Sequence, residues 1–334
     1  MTAKRLEGRD EPILEPDLPI IDTHHHLFLR PYVRYLFDDY LDDIDAGHNI
    51  VASIYMDAQS MVRTEGPELF RPLGEVEFAN GMAAMGASGV FGPRRIAAAI
   101  VCSAPVSAGD AVADYLDRAI ALAPGRLRGV RQIAMTTENP HIKPTLRYHV
   151  APGTLGSDSF RQGMRHVHAR GLSFETSIFH TQLGDLADLA GAFPNTTIIV
   201  SHLGLAEGLG QDAAGQQEVF VAWRKAMRNL ASRPNTICKV GGLGTPYWGF
   251  GFDKRTDPVG SLELAEAWRP YVEEGIAAFG ADRCMAESNF PVDGISCGYV
   301  PLWNALKHIV RNHTAEEKAA LFHGTAARVY RVEI

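Results

Sequence analysis

The sequence carries eight short apolar or β-branched runs, alternating with longer amphipathic ones. The short runs are "PIIDTHHH" (19–26), "NIVASIYMD" (49–57), "RRIAAAIVCS" (94–103), "GRLRGVRQIA" (125–134), "LSFETSIF" (172–179), "NTTIIVSHLG" (195–204), "NTICKVGGL" (235–243) and "DRCMAESNF" (282–290). Helical patterns cover 110–123, 183–193, 216–232, 262–279, 299–312 and 315–330. Parallel strands need a long crossover, usually a helix, to bring the chain back. Eight such units predict one closed parallel (β/α)8 barrel, a TIM barrel. The segments "FPNTT", "RPNT" and "FGADR" supply turn residues between helix and strand. An open doubly wound sheet is the alternative, but it normally carries a glycine-rich turn after its first strand. Here three histidines and Leu27 stand there.

The 334 residues suit one such barrel. We expect an N-terminal arm over 1–18, loose along most of its length, and a single domain over 19–334 with long loops on its C-terminal face. Two post-strand connections, 136–158 and 244–260, are too long for turns and are expected to be substrate lids. The second contains Tyr247 and Trp248.

No run of about 18 apolar residues occurs, so no membrane span is expected. The charged start "MTAKRLEGRDEPILEPD" lacks the apolar stretch of a signal peptide. A net charge of −7 without a long basic run argues against a nucleic-acid partner. Four scattered cysteines with no C-x-x-C pair read as reduced thiols, and the expected location is cytoplasmic.

Side chains alternate faces along a strand. His24 and His26 therefore share the inward face at the strand's C-terminal end, and His25 faces away. The same parity places Asp22 one layer deeper. Paired imidazoles at this spacing suit a metal. "IIVSHLG" ends its apolar run at His202, and "ETSIFH" ends at His180, both where barrel enzymes place catalytic groups. His166 and His168 also have H-x-H spacing. They fall on a helical pattern, where i and i+2 do not share a face, and are expected to be surface or packing residues.

"IIDTHHHL", "GRLRGVRQ", "TTIIVSHLG", "TICKVGGL", "FGADRCMAESNFPVD" and "HGTAARVYRV", in this order, resemble the amidohydrolase superfamily. The similarity is to its amidohydrolase-related branch of lactonases, carboxylate hydrolases and decarboxylases. It spans about residues 19–332 and implies a (β/α)8 barrel, in agreement with the strand count. It implies His24, His26 and His202 as metal ligands, and Arg131 as an arginine that binds a substrate carboxylate. It leaves two chemistries open: one divalent ion, zinc or manganese, or a metal-free mechanism. Barrels of this kind are often homodimers.

The eighth strand departs from the pattern. The family ends it in Gly-Ser-Asp-Trp/Phe-Pro, with the Asp as base or metal ligand. This chain has "ESNFP", so Asn289 holds that position. Glu287 replaces the glycine, on the same face and roughly 6–7 Å deeper by strand geometry. We expect Glu287 to be the displaced base or a metal ligand, or else the ion-pair partner of Lys239. Asp293 is expected past the rim. The expected activity is hydrolysis of a small carboxylated lactone by activated water. Glu287, His180 and Asn289 would be catalytic, and Arg131, Lys239, Tyr247 and Trp248 would contact substrate. A decarboxylase of an aromatic or enol acid and a silent ligand-binding barrel are the alternatives.

Overall fold

A computed structural model describes residues 10–30 and 33–334. Eight strands form one parallel sheet in sequential order: β1 (Ile20–His25), β2 (Ile50–Met56), β3 (Arg95–Ser103), β4 (Leu127–Arg131), β5 (Ser173–Thr176), β6 (Ile198–Val200), β7 (Thr236–Val240) and β8 (Cys284–Ala286). Beyond β8 the chain returns to β1. Asn289 N donates to His24 O and His26 N to Phe290 O, both at 2.8 Å, which closes the barrel at its mouth. The fold is the (β/α)8 barrel that the alternation predicts.

Helices α1 (Phe37–Ile44), α2 (Leu73–Gly86), α3 (Val112–Leu122), α4 (Asp158–Ala169), α5 (Leu183–Ala192), α6 (Ala213–Ala231), α7 (Ser261–Phe279) and α8 (Tyr299–Ile309) each follow one strand. Helices α9 (Ala315–Ala319) and α10 (Thr325–Tyr330) end the chain. None of the described helices is long and apolar enough to cross a membrane.

Apolar residues segregate into two cores because each strand is covered on both faces. The larger lies between sheet and helices. The smaller fills the barrel with Ile21, Ile54, Met56, Val101, Ile199, Ile237 and Met285, joined by Tyr330 and Val332 from the C-terminus. The end of the chain thus plugs the barrel floor.

Three expectations change. Asp22 does not lie beneath the histidine pair. The β1–β2 register slips between Asp22 and His25, which reverses parity. Asp22 instead accepts hydrogen bonds from Tyr40 of α1 at 3.1 Å, Tyr299 of α8 at 3.2 Å and Ser288 Oγ at 2.7 Å. Burial raises its carboxyl to about 6. The described part of the arm is not loose. Lys307 Nζ on α8 donates to Leu14 O at 2.6 Å, and Glu11 accepts from Ser261 N at 2.9 Å. Residues 1–9 of the arm lie outside the described residues. Third, an antiparallel hairpin, Phe28–Arg30 with Val33–Tyr35, follows β1 where no strand was expected.

Candidate active site

The candidate site sits at the C-terminal ends of β1, β4, β6 and β8. His24, His202 and Glu287 converge there, each offering a ligand atom within 4.8 Å of the others. Glu287 bridges the two rings. Its Oε1 lies 2.6 Å from Nδ1 of His202 and accepts from His202 N at 3.1 Å. Its Oε2 lies 2.9 Å from Nδ1 of His24, at an angle outside hydrogen-bond geometry. Glu175 Oε1 is 3.7 Å from the same Nδ1.

Those contacts assign the tautomers. A nitrogen lone pair facing two carboxylates would be repelled, so the proton sits on Nδ1 of His24. Nδ1 of His26 lies 3.0 Å from Met56 O, which only accepts, so that nitrogen also carries the proton. Burial holds both imidazoles well below their usual pKa, with Lys239 adding to the effect on His24 and Arg131 on His26. Both are neutral, and their Nε2 lone pairs stand 3.1 Å apart. Two nitrogens on a tetrahedral zinc-type ion sit about 3.3 Å apart, so the pair fits a shared cation. The carboxylate and carbonyl behind the rings are the outer contacts that metal-bound histidines require. Arg131 Nη1, 3.3 Å from His24 Nε2, donates toward the same lone pair and would have to turn aside for an ion to bind there.

A cavity of about 290 Å³ opens above the cluster, with His26, His202, Asn289, Arg131, Asp57 and Tyr247 in its wall. Glu287 is fully buried and lies behind His202 rather than in the wall. The glycines of "KVGGLG" make this possible. A Cβ on Gly241 would meet Glu287 Cγ at 2.4 Å, and one on Gly242, at φ +66°, would meet the His202 ring at 2.3 Å. His202 and Asn289 are themselves left-handed, at φ +55° and +53°. That conformation turns their side chains off strand parity.

Asn289 Nδ2 donates to Asp293 Oδ1 at 2.7 Å. Its Oδ1 is buried without a partner. Asp293 is not past the rim. It is fully buried, burial raises it to about 7, and it fixes the amide orientation of Asn289.

Several other residues fall elsewhere than the sequence led us to expect. Lys239 is sealed inside the barrel and pairs with Glu175 at 2.7 Å, not with Glu287. Arg131 donates through Nε to Asp57 Oδ1 at 2.5 Å and through Nη2 to Asp57 O. Asp57 was missed, although it ends the second strand run, where barrel enzymes place functional groups. Trp248 is buried beneath the wall, with Nε1 on Gly242 O at 2.9 Å. His180 is buried at the start of a 3-10 turn, outside the wall. His166 and His168, on α4, are the surface and packing residues expected of them, reaching Asp110 and Thr196.

A barrel with a histidine pair on β1 and a third histidine after β6 defines the class. Residues 21–332 match the amidohydrolase family, and the chain belongs to it. It is 32% identical to the uncharacterized protein y4mH of Sinorhizobium fredii, covering 95% of this chain and 99% of that one. It is 28% identical to an L-fucono-1,5-lactonase of Burkholderia multivorans, covering 51% of this chain and 55% of that one. A solved amidohydrolase from Burkholderia multivorans with bound zinc superimposes with a TM-score of 0.71 at 22% identity, covering 94% of this chain and 99% of that one.

Proposed function

We propose that the protein hydrolyses a small lactone through water activated by His202. The observation that carries this reading is the couple in which Glu287 holds Nδ1 of His202 at 2.6 Å while His202 lines the cavity. A neutral imidazole whose Nδ1–H rests on a carboxylate is a general base at Nε2. Asn289 Oδ1, buried without a protein partner, accepts a hydrogen bond from the attacking water. As the water oxygen bonds to the carbonyl carbon, its proton passes to His202 Nε2 and the carbonyl π pair moves onto oxygen. Arg131 Nη1 stabilises that oxyanion. On collapse the ring C–O bond breaks, and His202 returns the proton to the departing alkoxide. Glu287 orients His202 and stabilises its transient positive charge.

A divalent ion held by Nε2 of His24 and His26 would add Lewis-acid polarisation of the carbonyl. Imidazole donors suit zinc over magnesium. The relation to a lactonase over half of each chain supports the reaction class.

A panel of sugar and carboxylated lactones assayed by acid release at constant pH tests the proposal, with one proton per ring opened expected. Carbon dioxide release from aromatic acids without lactone turnover would replace it with a decarboxylase. Metal analysis of untagged active protein decides the ion. Less than about a tenth of an equivalent would leave the imidazoles and Arg131 to act alone.

A further inference from the structure

Three arginines, Arg30, Arg131 and Arg147, line the cavity beside a single carboxylate, Asp57. Asp57 is spent on Arg131, whose remaining Nη1 points to His24. Arg131 therefore keeps only Nη1, which the proposed mechanism assigns to the oxyanion, and has little left for a substrate carboxylate.

The other two guanidiniums form no ion pair among the described residues. Arg30 comes from the hairpin after β1. It lies over the Phe28 ring at 4.3 Å, donates through Nη2 to Ala58 O, and buries its Nε without a partner. Arg147 comes from the long loop after β4 and stacks on Tyr148 at 5.2 Å. The Glu75 carboxylate attracts Arg30 from a distance, and the two guanidiniums are near enough to repel one another. Arg30 is half-buried and its charge costs free energy unless an anion approaches, while Arg147 is exposed at the cavity mouth and free to meet one.

We infer that Arg30 and Arg147 form a carboxylate clamp and that the substrate is an anionic lactone, a deepening that rests on the lactonase proposal. Guanidinium forks match carboxylates bidentately. Placed on two separate loops, they would hold the carboxylate away from the histidines and leave the ring ester at His202.

Paired lactones that differ only in a carboxylate test the clamp. In Arg30→Gln and in Arg147→Gln, the kcat/KM ratio of carboxylated over neutral lactone should fall about 10–100-fold, chiefly through KM, as loss of charge-assisted hydrogen bonds requires. Arg30→Lys should recover part of it. Calorimetric titration with glutarate and with inorganic phosphate supplies a readout independent of turnover. Glutarate binding that both Gln variants weaken, in a protein that turns over no lactone, would keep the clamp and remove the lactonase. Lactone turnover with an unchanged ratio in both variants would overturn the clamp and keep the lactonase. Arginine-dependent phosphate binding tighter than that of glutarate would overturn the carboxylate assignment.

Discussion

Two buried polar clusters are stacked along the barrel axis, and they follow opposite rules. In the lower one every charge is matched. Lys239 Nζ meets Glu175 Oε1 and donates to Thr23 O, each at 2.7 Å. Ser201 Oγ donates to Glu175 Oε1 at 2.7 Å and Tyr330 OH to Oε2 at 3.2 Å. In the upper cluster the Nε2 atoms of His24 and His26 meet each other and Arg131 but no acid, His202 lines the cavity with its Nδ1 held by Glu287, and Asn289 keeps a buried oxygen unpartnered. Saturated polar networks fix a structure, while unsatisfied groups facing a cavity are available for chemistry. The lower cluster is structural support, and the upper one is the proposed reactive site.

Substitutions should separate the two clusters. The largest effect is expected for His202→Ala, which removes the base and should lower kcat about 10³–10⁴-fold, with some loss of melting temperature as well because buried Glu287 loses its partner. An unchanged kcat would end its assignment as base. Glu287→Gln should lower kcat about 10²–10³-fold and shift the pH–rate profile, because it changes the charge behind the His202 ring. Glu287→Asp should recover part of the rate. A Gln variant with wild-type rate and profile would make Glu287 merely structural.

In the lower cluster the loss should appear as stability. Lys239→Met leaves Glu175 buried and unpaired, at a cost of about 3–5 kcal/mol. The double variant with Glu175→Met should recover much of that, as read by urea denaturation. Equal destabilisation of single and double variants would contradict the pairing.

The smallest effect concerns the loop after β2. Glu75, in the first turn of α2, accepts hydrogen bonds from Ala58 N at 2.6 Å, Gln59 N at 3.0 Å and Tyr55 OH at 2.9 Å. Burial, with the neighbouring Asp57 charge, raises it from 4.5 to about 7. Between those values the folded state holds a proton that the unfolded state has released. Its contribution is therefore fully present below pH 4.5 and lost as pH rises through about 7. Melting temperatures should fall over that window by a few degrees, and the fall should flatten in Glu75→Gln. An identical slope in the variant would remove Glu75 as its source.

The barrel was legible because its signal is local. Each short apolar run is set apart from the next by a helical pattern or by turn residues, which marks where a strand leaves the core. His24, His26 and His202 could be named for the same reason. The hairpin after β1 was not legible, since its short strands carry no clear alternation. Arg30, which it delivers to the cavity, was missed with it. Asp57 was hidden because a single acid at a strand end has no local pattern. Its meaning comes from Arg131, 74 positions away.

The sequence by itself determined the strand–helix order, the placement of three histidines at strand ends, and the replacement of the family's aspartate by Asn289. Tertiary structure alone decided the partnerships: Lys239 with Glu175, Arg131 with Asp57, and Glu287 behind His202. The physical reason is that parity propagates only along regular strand. The register slip in β1 and the left-handed residues His202 and Asn289 reset direction. Contacts between strands far apart in sequence form only once the barrel closes.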